Sequence, residues 1–220
     1  MKNYIIVYCF LSTVALGNEI YIDQQLGSGN NSVNIEQGNV LDTSGQNVID
    51  LVLLGSNNNL ILKQGQNNSL DMGGHSQDIH IVGNNNSVIN VQNNNGTGGH
   101  QLSQNIIGDY NDSTISQYDN NTKSIQSFVN GTRNTQTIIQ KDLGEHHLDI
   151  SLTGNDNSAT VIQEGDVANS AIINLENIGG ASNLILNQQG ATGYLGNVYN
   201  VIQQCANPAG CSVSVTQTAH

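Results

Sequence analysis

Amide side chains are the residues of this sequence whose type and spacing best define a chemistry, which is hydrogen bonding. In the segment NNLILKQ, Asn58 and Gln64 stand on either side of Leu60 and Leu62, with one residue between each. Side chains of a β-strand alternate between its two faces, so these four share one face. An amide can donate and accept hydrogen bonds at the same time. The segment therefore predicts a strand whose apolar centre has a hydrogen-bonding group at each end.

The same frame, Asn followed six residues later by Gln, recurs along the chain, and successive final Gln residues are 23 to 28 positions apart. It comprises Asn31 and Gln37, Asn58 and Gln64, Asn86 and Gln92, Asn111 and Gln117, Asn134 and Gln140, Asn157 and Gln163, Asn183 and Gln189, and a last copy with Cys211 in place of Asn and Gln217 at its end. Six copies carry a Gly three residues before the Asn, at Gly55, Gly83, Gly108, Gly131, Gly154 and Gly180. Because Gly adopts turn dihedral angles at little steric cost, we expect a turn before each of these strands.

A second, less regular strand precedes these turns, for example EIYIDQ near residue 20 and NVIDLVL near residue 48. An internal period of about 25 residues is typical of solenoids. The sequence therefore predicts an all-β fold, a β-solenoid of about eight strand-turn-strand repeats. In such a stack Gln lies over Gln and Asn over Asn, so each amide can donate to one neighbouring layer and accept from the other.

Composition and charge narrow the function. The 220 residues include 24 Gly and no Trp, only 10% are charged, and the net charge is −12. An acidic chain with five Lys or Arg repels phosphate backbones, which argues against nucleic-acid binding. Lys2 precedes an apolar run that is too short to span a bilayer and ends in small residues, so residues 1–17 are predicted to be a signal peptide. We expect an exported mature chain from Asn18 without membrane insertion.

Cys205 and Cys211 flank the last predicted turn, in the segment CANPAGC. Cys9 belongs to the predicted signal peptide, so the mature chain keeps these two cysteines. Exported proteins form disulfides in oxidising compartments. We therefore predict a disulfide between Cys205 and Cys211 that fastens the last repeat.

The repeat resembles that of the curlin family, the subunits of bacterial curli, which reads Gln-x-Gly-x-x-Asn-x-Ala-x-x-x-Gln. The best match runs from Leu152 to Gln163, and only its first residue departs from the pattern. The resemblance implies an exported β-solenoid subunit of an extracellular amyloid fibre that serves adhesion and biofilm matrix. Its implied partners are further copies or a related fibre subunit, added strand edge to strand edge, and an outer-membrane secretion machinery. It implies no enzymatic activity and no cofactor.

Two other function classes remain open. A non-polymerising solenoid that binds ice or another surface would need regular Thr arrays, of which Thr135 and Thr137 are only a local instance. A β-helical glycan enzyme of the phage-tailspike type would need an acidic pair, but Asp and Glu are scattered. The six His, including adjacent His146 and His147, show no metal-ligand spacing, and we expect them on the surface.

Overall fold

The structure, a computed structural model, describes residues 18–24, 29–38, 45–65, 73–94, 96, 98–176, 180–191, 196–205 and 209–218. The predicted signal peptide, residues 1–17, lies outside the described residues. All sixteen elements in the described ranges are β-strands, and they form two eight-stranded parallel sheets. The predicted all-β solenoid is therefore confirmed.

The strands alternate between the two sheets along the chain. Odd-numbered strands form sheet A and even-numbered strands form sheet B. In chain order they are β1 (Glu19–Gln24), β2 (Ser32–Gln37), β3 (Val48–Leu54), β4 (Asn59–Gln64), β5 (Ser76–Val82), β6 (Ser87–Gln92), β7 (Gln101–Ile107), β8 (Asp112–Gln117), β9 (Ser124–Phe128), β10 (Thr135–Gln140), β11 (His147–Ile150), β12 (Ser158–Gly165), β13 (Ser170–Asn174), β14 (Ser182–Gly190), β15 (Val198–Ile202) and β16 (Cys211–Thr218).

Each odd strand and the even strand that follows it form one layer, so β1 and β2 make layer one and β15 and β16 make layer eight. Each strand of layers one to seven pairs in parallel with the equivalent strand of the next layer. Parallel neighbours lie about 4.8 Å apart, so side chains at equivalent positions form columns along the stack. We call the connection within a layer the first arch and the connection to the next layer the second arch.

The core lies between the two sheets. In layer two, Ile49, Leu51 and Leu53 of β3 and Leu60 and Leu62 of β4 are all fully buried. Alternate residues of the same strands point outward, as period-two patterning requires. Each layer contributes only a few apolar side chains, so each layer depends on its neighbours for a continuous core.

Candidate functional site

A column of Gln side chains runs through all eight layers at the end of each sheet B strand. In seven consecutive links, Nε2 of one Gln donates to Oε1 of the Gln in the next layer, at 2.7 to 3.0 Å. The members are Gln37, Gln64, Gln92, Gln117, Gln140, Gln163, Gln188 and Gln217. Every link points the same way, which gives this Gln ladder a donor end and an acceptor end.

The second proton of each amide closes its own layer. Nε2 of Gln64 donates to the backbone oxygen of Val48 at 2.9 Å, which joins the end of β4 to the start of β3. Nε2 of Gln163 does the same with His147 at 3.0 Å. Both side chains are fully buried, and a buried amide without partners would be costly. The Gln ladder therefore holds the two sheets together as well as the layers.

A second column, the Asn ladder, stands at the first arch. Oδ1 of Asn58 accepts from the backbone N–H of Asn86 at 2.9 Å, and Nδ2 of Asn58 donates to the backbone oxygen of Gly83 at 2.9 Å. The pattern joins six predicted residues: Asn31, Asn58, Asn86, Asn111, Asn134 and Asn157. The first five satisfy backbone groups in the turn of the next layer through both side-chain atoms, whereas Nδ2 of Asn157 donates within its own turn.

The predicted turn glycines allow neighbouring first arches to approach closely. Gly83 and Gly108 have φ angles of 144° and 122°. A Cβ on Gly83 would lie 1.9 Å from the backbone oxygen of Gly108, and one on Gly108 would lie 1.9 Å from that of Gly131. Gly55 and Gly154 belong to the same column. Here both the dihedral angle and the packing require Gly.

The sequence prediction is wrong by one residue in layer seven. Ser182, not Asn183, donates its backbone N–H to Asn157 Oδ1. Gln188, not Gln189, accepts from Gln163. Asn183 and Gln189 point outward, where Gln189 contacts Glu164. This register buries Leu184 and Leu186, which the predicted register would have turned to solvent, because a slip of one residue reverses both faces of a strand.

The turn glycine of layer seven shifts with the strand. Gly180 stands two residues before Ser182, so it does not match the spacing of the other five turn glycines. By that spacing Gly179 is the equivalent residue, and it lies outside the described residues.

The last layer carries the predicted disulfide. Cys205 and Cys211 are bonded, with their Cα atoms 5.6 Å apart. Cys211 pairs with Ser182 in register, so it occupies the Asn position, as predicted. The Asn ladder therefore ends with Asn157. The hydroxyl of Ser182 is buried and has no hydrogen-bond partner among the described residues.

A third column, which we call the second-arch column, was missed by sequence analysis. It stands immediately before the sheet A strands and comprises Asn47, His75, His100, Lys123, His146, Asn169 and Asn197. The expectation that the histidines lie on the surface is wrong for His75, His100 and His146, which are at most 1% exposed. The sequence feature that could have predicted this column is a polar residue directly before each sheet A strand.

Histidines in the second-arch column form the same bonds as Asn. Nδ1 of His75 accepts from the backbone N–H of His100 at 3.0 Å, and Nε2 of His100 lies 2.9 Å from the backbone oxygen of Asn93. Oδ1 and Nδ2 of Asn169 take these two roles with Asn197 and Glu164. Neutral imidazole can replace the amide here because it can accept one hydrogen bond and donate another, which are the two roles the position requires.

Two side chains in this column have displaced pKa values. Burial lowers the pKa of His146 to about 4, and the ammonium of Lys123 acts in the same direction. Burial also lowers the pKa of Lys123 to about 8, although Asp119 and Asp142 oppose the effect. Lys123 Nζ donates to the backbone oxygens of Asn120 and Asp142 at 2.7 and 2.8 Å. A buried ammonium therefore replaces the amide in layer five.

A buried polar network interrupts the apolar core in its middle layers. Gln104 donates to the hydroxyl of Ser113 at 2.6 Å, and Gln136 donates to the same hydroxyl at 2.7 Å and to that of Ser127 at 2.7 Å. Asn90 donates to Gln104 at 3.2 Å. All five side chains are at most 2% exposed. Sequence analysis missed this network because the residues occupy positions that are apolar in neighbouring layers.

The two ends of the stack differ in hydrogen-bonding capacity. At layer one, no described residue donates to Oε1 of Gln37, whose Nε2 is used by Gln64 and two backbone oxygens. At layer eight, Nε2 of Gln217 has only a 3.5 Å contact to the backbone oxygen of Val198 within the described ranges. Layer one thus presents an acceptor, and layer eight presents a donor.

Comparisons with protein-family models, with curated proteins and with solved structures found no match. Within the described ranges, no three His, Cys, Asp or Glu side chains are grouped so as to hold a metal ion. No helix in that part of the chain has the length and apolar character of a membrane span. The two amide ladders place directional hydrogen bonds between successive layers.

Proposed function

We propose that this chain is an exported structural subunit of a curli-like extracellular amyloid fibre of a bacterium, acting in adhesion and biofilm matrix. The observation that carries the proposal is the Gln ladder, which runs through all eight layers and ends in an acceptor at Gln37 and a donor at Gln217. A second copy stacked in the same direction joins these two groups. Such stacking is heterologous, and a heterologous contact whose rotation does not close into a ring continues as an open filament.

Core side chains at the two ends also match. Ile20 in layer one and Tyr199, Val213 and Val215 in layer eight are only partly buried. When the strand register is continued across two copies, Tyr199 lies over Ile20, and Val213 lies over Val33. Among the described residues, β1, β2, β15 and β16 each pair with a strand on one side only, and such open strand edges template strand addition. The contact between layer eight of one copy and layer one of the next, which we call the seam, then has the same kinds of contact as two neighbouring layers within one chain.

The disulfide supports the location that the proposal requires. Cys205 is fully buried in the bonded form, and disulfides persist in oxidising compartments such as the exterior of the cell. The proposal includes an outer-membrane secretion machinery as the route of export.

Two single substitutions test the stacking direction. Val215→Lys places a charge in the layer-eight end, and Ile20→Lys places one in the layer-one end. Each variant alone has one blocked end and is expected not to elongate, whereas their mixture is expected to form dimers through the two intact ends. Ser214→Lys is the matched control, because Ser214 points outward from the same strand, and this variant is expected to form fibres. Fibres or dimers from either blocked variant alone would contradict head-to-tail stacking.

The alternative of a non-polymerising surface- or ice-binding solenoid has one observation in its favour. Thr114, Thr137 and Thr160 form a column on the outer face of sheet B. Ile89 and Ile185 replace Thr in the layers on either side, which limits the array to three layers. A chain that stays monomeric and slows ice growth, with loss of that effect in Thr137→Val, would favour this alternative.

A further inference from the structure

The two ring nitrogens of His146 have opposite hydrogen-bonding roles. Nδ1 accepts from the backbone N–H of Asn169 at 3.2 Å, and Nε2 lies 2.8 Å from the backbone oxygen of Lys141. A backbone N–H can only donate and a carbonyl can only accept. His146 is therefore neutral, with its proton on Nε2, and it connects layer six to layer seven.

The imidazole of His146 is tightly enclosed and has no room to move. Its side chain is 1% exposed, and a Cβ on Gly144 would lie 2.5 Å from Cε1 of His146, so the ring packs directly on the backbone of the arch. Lys123 is the charged group that faces it from layer five, and Asp142 faces it from its own arch. Asn169, its neighbour from layer seven, is uncharged. The amine of Lys141 points outward to Glu164 at 2.6 Å.

We propose that His146 is an acid-sensitive joint between the first six layers and the last two. Protonation at Nδ1 sets an N–H against the N–H of Asn169 and adds a second buried cation near Lys123. The hydrogen bond from Asn169 to His146 is lost, which weakens the attachment of the last two layers, while strand pairing and the Gln163–Gln188 link still join layers six and seven. The joint operates within a single chain, so it does not depend on the fibre proposal.

Asn is the non-titrating equivalent of His in this column. Oδ1 of Asn169 accepts from the N–H of Asn197 at 3.2 Å, and its Nδ2 donates to the backbone oxygen of Glu164 at 2.9 Å. His146→Asn therefore keeps one acceptor and one donor but cannot take up a proton between pH 7 and pH 4. His147 points outward and is exposed, so His147→Asn removes a neighbouring His without touching the joint.

The test is urea unfolding of the full-length mature chain at pH 7.0 and pH 4.5. A histidine whose pKa is lower in the folded state than its ordinary 6.5 stabilises the fold fully above pH 6.5, and this contribution is lost as the pH falls towards about 4. We expect the folding equilibrium constant of the wild type to fall about 50-fold more than that of His146→Asn, following the 10-fold change per 1.36 kcal/mol. His147→Asn is expected to behave as wild type. Equal pH dependence in wild type and His146→Asn would overturn the proposal.

If His146→Asn does not fold, nitrogen NMR of wild-type His146 decides the question. The expected spectrum at pH 7 shows a protonated Nε2 and an unprotonated Nδ1. A proton on Nδ1 at pH 7, or a ring that gains its second proton near pH 6.5 while the chain stays folded, would overturn the proposal. Both measurements are made on the monomeric chain, so failure to form fibres does not affect them.

Discussion

Replacing Gln140 with Leu should break the Gln ladder in the middle of the stack. Nε2 of Gln140 donates to Gln163 at 2.7 Å, and its Oε1 accepts from Gln117 at 3.0 Å. Leu removes both links and leaves Oε1 of Gln163 without its donor. A buried polar group that loses its partner costs about 1 to 3 kcal/mol. Two affected neighbours, Gln117 and Gln163, give a cost of about 2 to 6 kcal/mol. The apolar burial of Leu offsets part of this cost. We therefore expect the free energy of unfolding to fall by about 3 kcal/mol.

Urea unfolding followed by circular dichroism measures this loss directly. A globular domain is stable by about 5 to 15 kcal/mol, so a decrease of about 3 kcal/mol is a large shift in the unfolding midpoint. Gln126→Leu is the matched control, because Gln126 lies on the outer face of sheet A and is exposed. It should change stability by less than about 0.5 kcal/mol. Equal effects of the two substitutions would refute the role assigned to the ladder.

Three further predictions follow from other parts of the chain. Gly108→Ala should destabilise the fold by more than about 3 kcal/mol in urea unfolding, because its Cβ would lie 1.9 Å from the backbone oxygen of Gly131; a neutral effect would contradict the close approach. Between pH 7.5 and pH 10 the wild type should gain about 2 kcal/mol relative to Lys123→Met, since a lysine whose pKa falls to about 8 on folding favours the fold as the pH rises; a constant difference would contradict burial of the ammonium. Mass spectrometry of extracellular protein should give a chain that begins near Asn18, and an intact Met1 would rule out the signal peptide.

The sequence allowed the layer count, the alternation of strands and most of both amide ladders to be predicted, because period-two patterning and the 25-residue repeat each constrain the register. The register of layer seven was predicted wrongly because Ser182 and Gln188 are six residues apart, as Asn183 and Gln189 are. Leu184 decides between the two registers. It shares a strand face with Ser182 and not with Asn183, and the buried face must carry the apolar residues.

The second-arch column could not be predicted from residue type alone. His146 and Lys123 are residues usually assigned to the surface, and they are buried here because backbone groups of the arch supply their partners. The spacing between the Gln ladder and this column also varies along the chain, since the second arches differ in length. Only the backbone hydrogen bonds between neighbouring layers show that His146 and Lys123 occupy the same position in their layers as Asn169 does in layer seven.

The position of one copy relative to the next is the most direct test of the proposed fibre. Glu36 and Thr216 stand in the same outward column of sheet B, in layers one and eight. Within one chain they are seven layers apart, about 34 Å at 4.8 Å per layer. In a head-to-tail stack they are neighbours about 4.8 Å apart, which is within the range of a disulfide. The double variant Glu36→Cys with Thr216→Cys therefore reports the seam between copies.

After assembly and mild oxidation, we expect this variant to give a ladder of covalent oligomers on a non-reducing gel. Asn34→Cys with Thr216→Cys is the control, because Asn34 lies two residues before Glu36 on the same strand, about 7 Å out of register, and should cross-link poorly. Fibres in which the first pair remains uncrosslinked, or in which both pairs cross-link equally, would contradict in-register stacking of layer eight on layer one of the next copy.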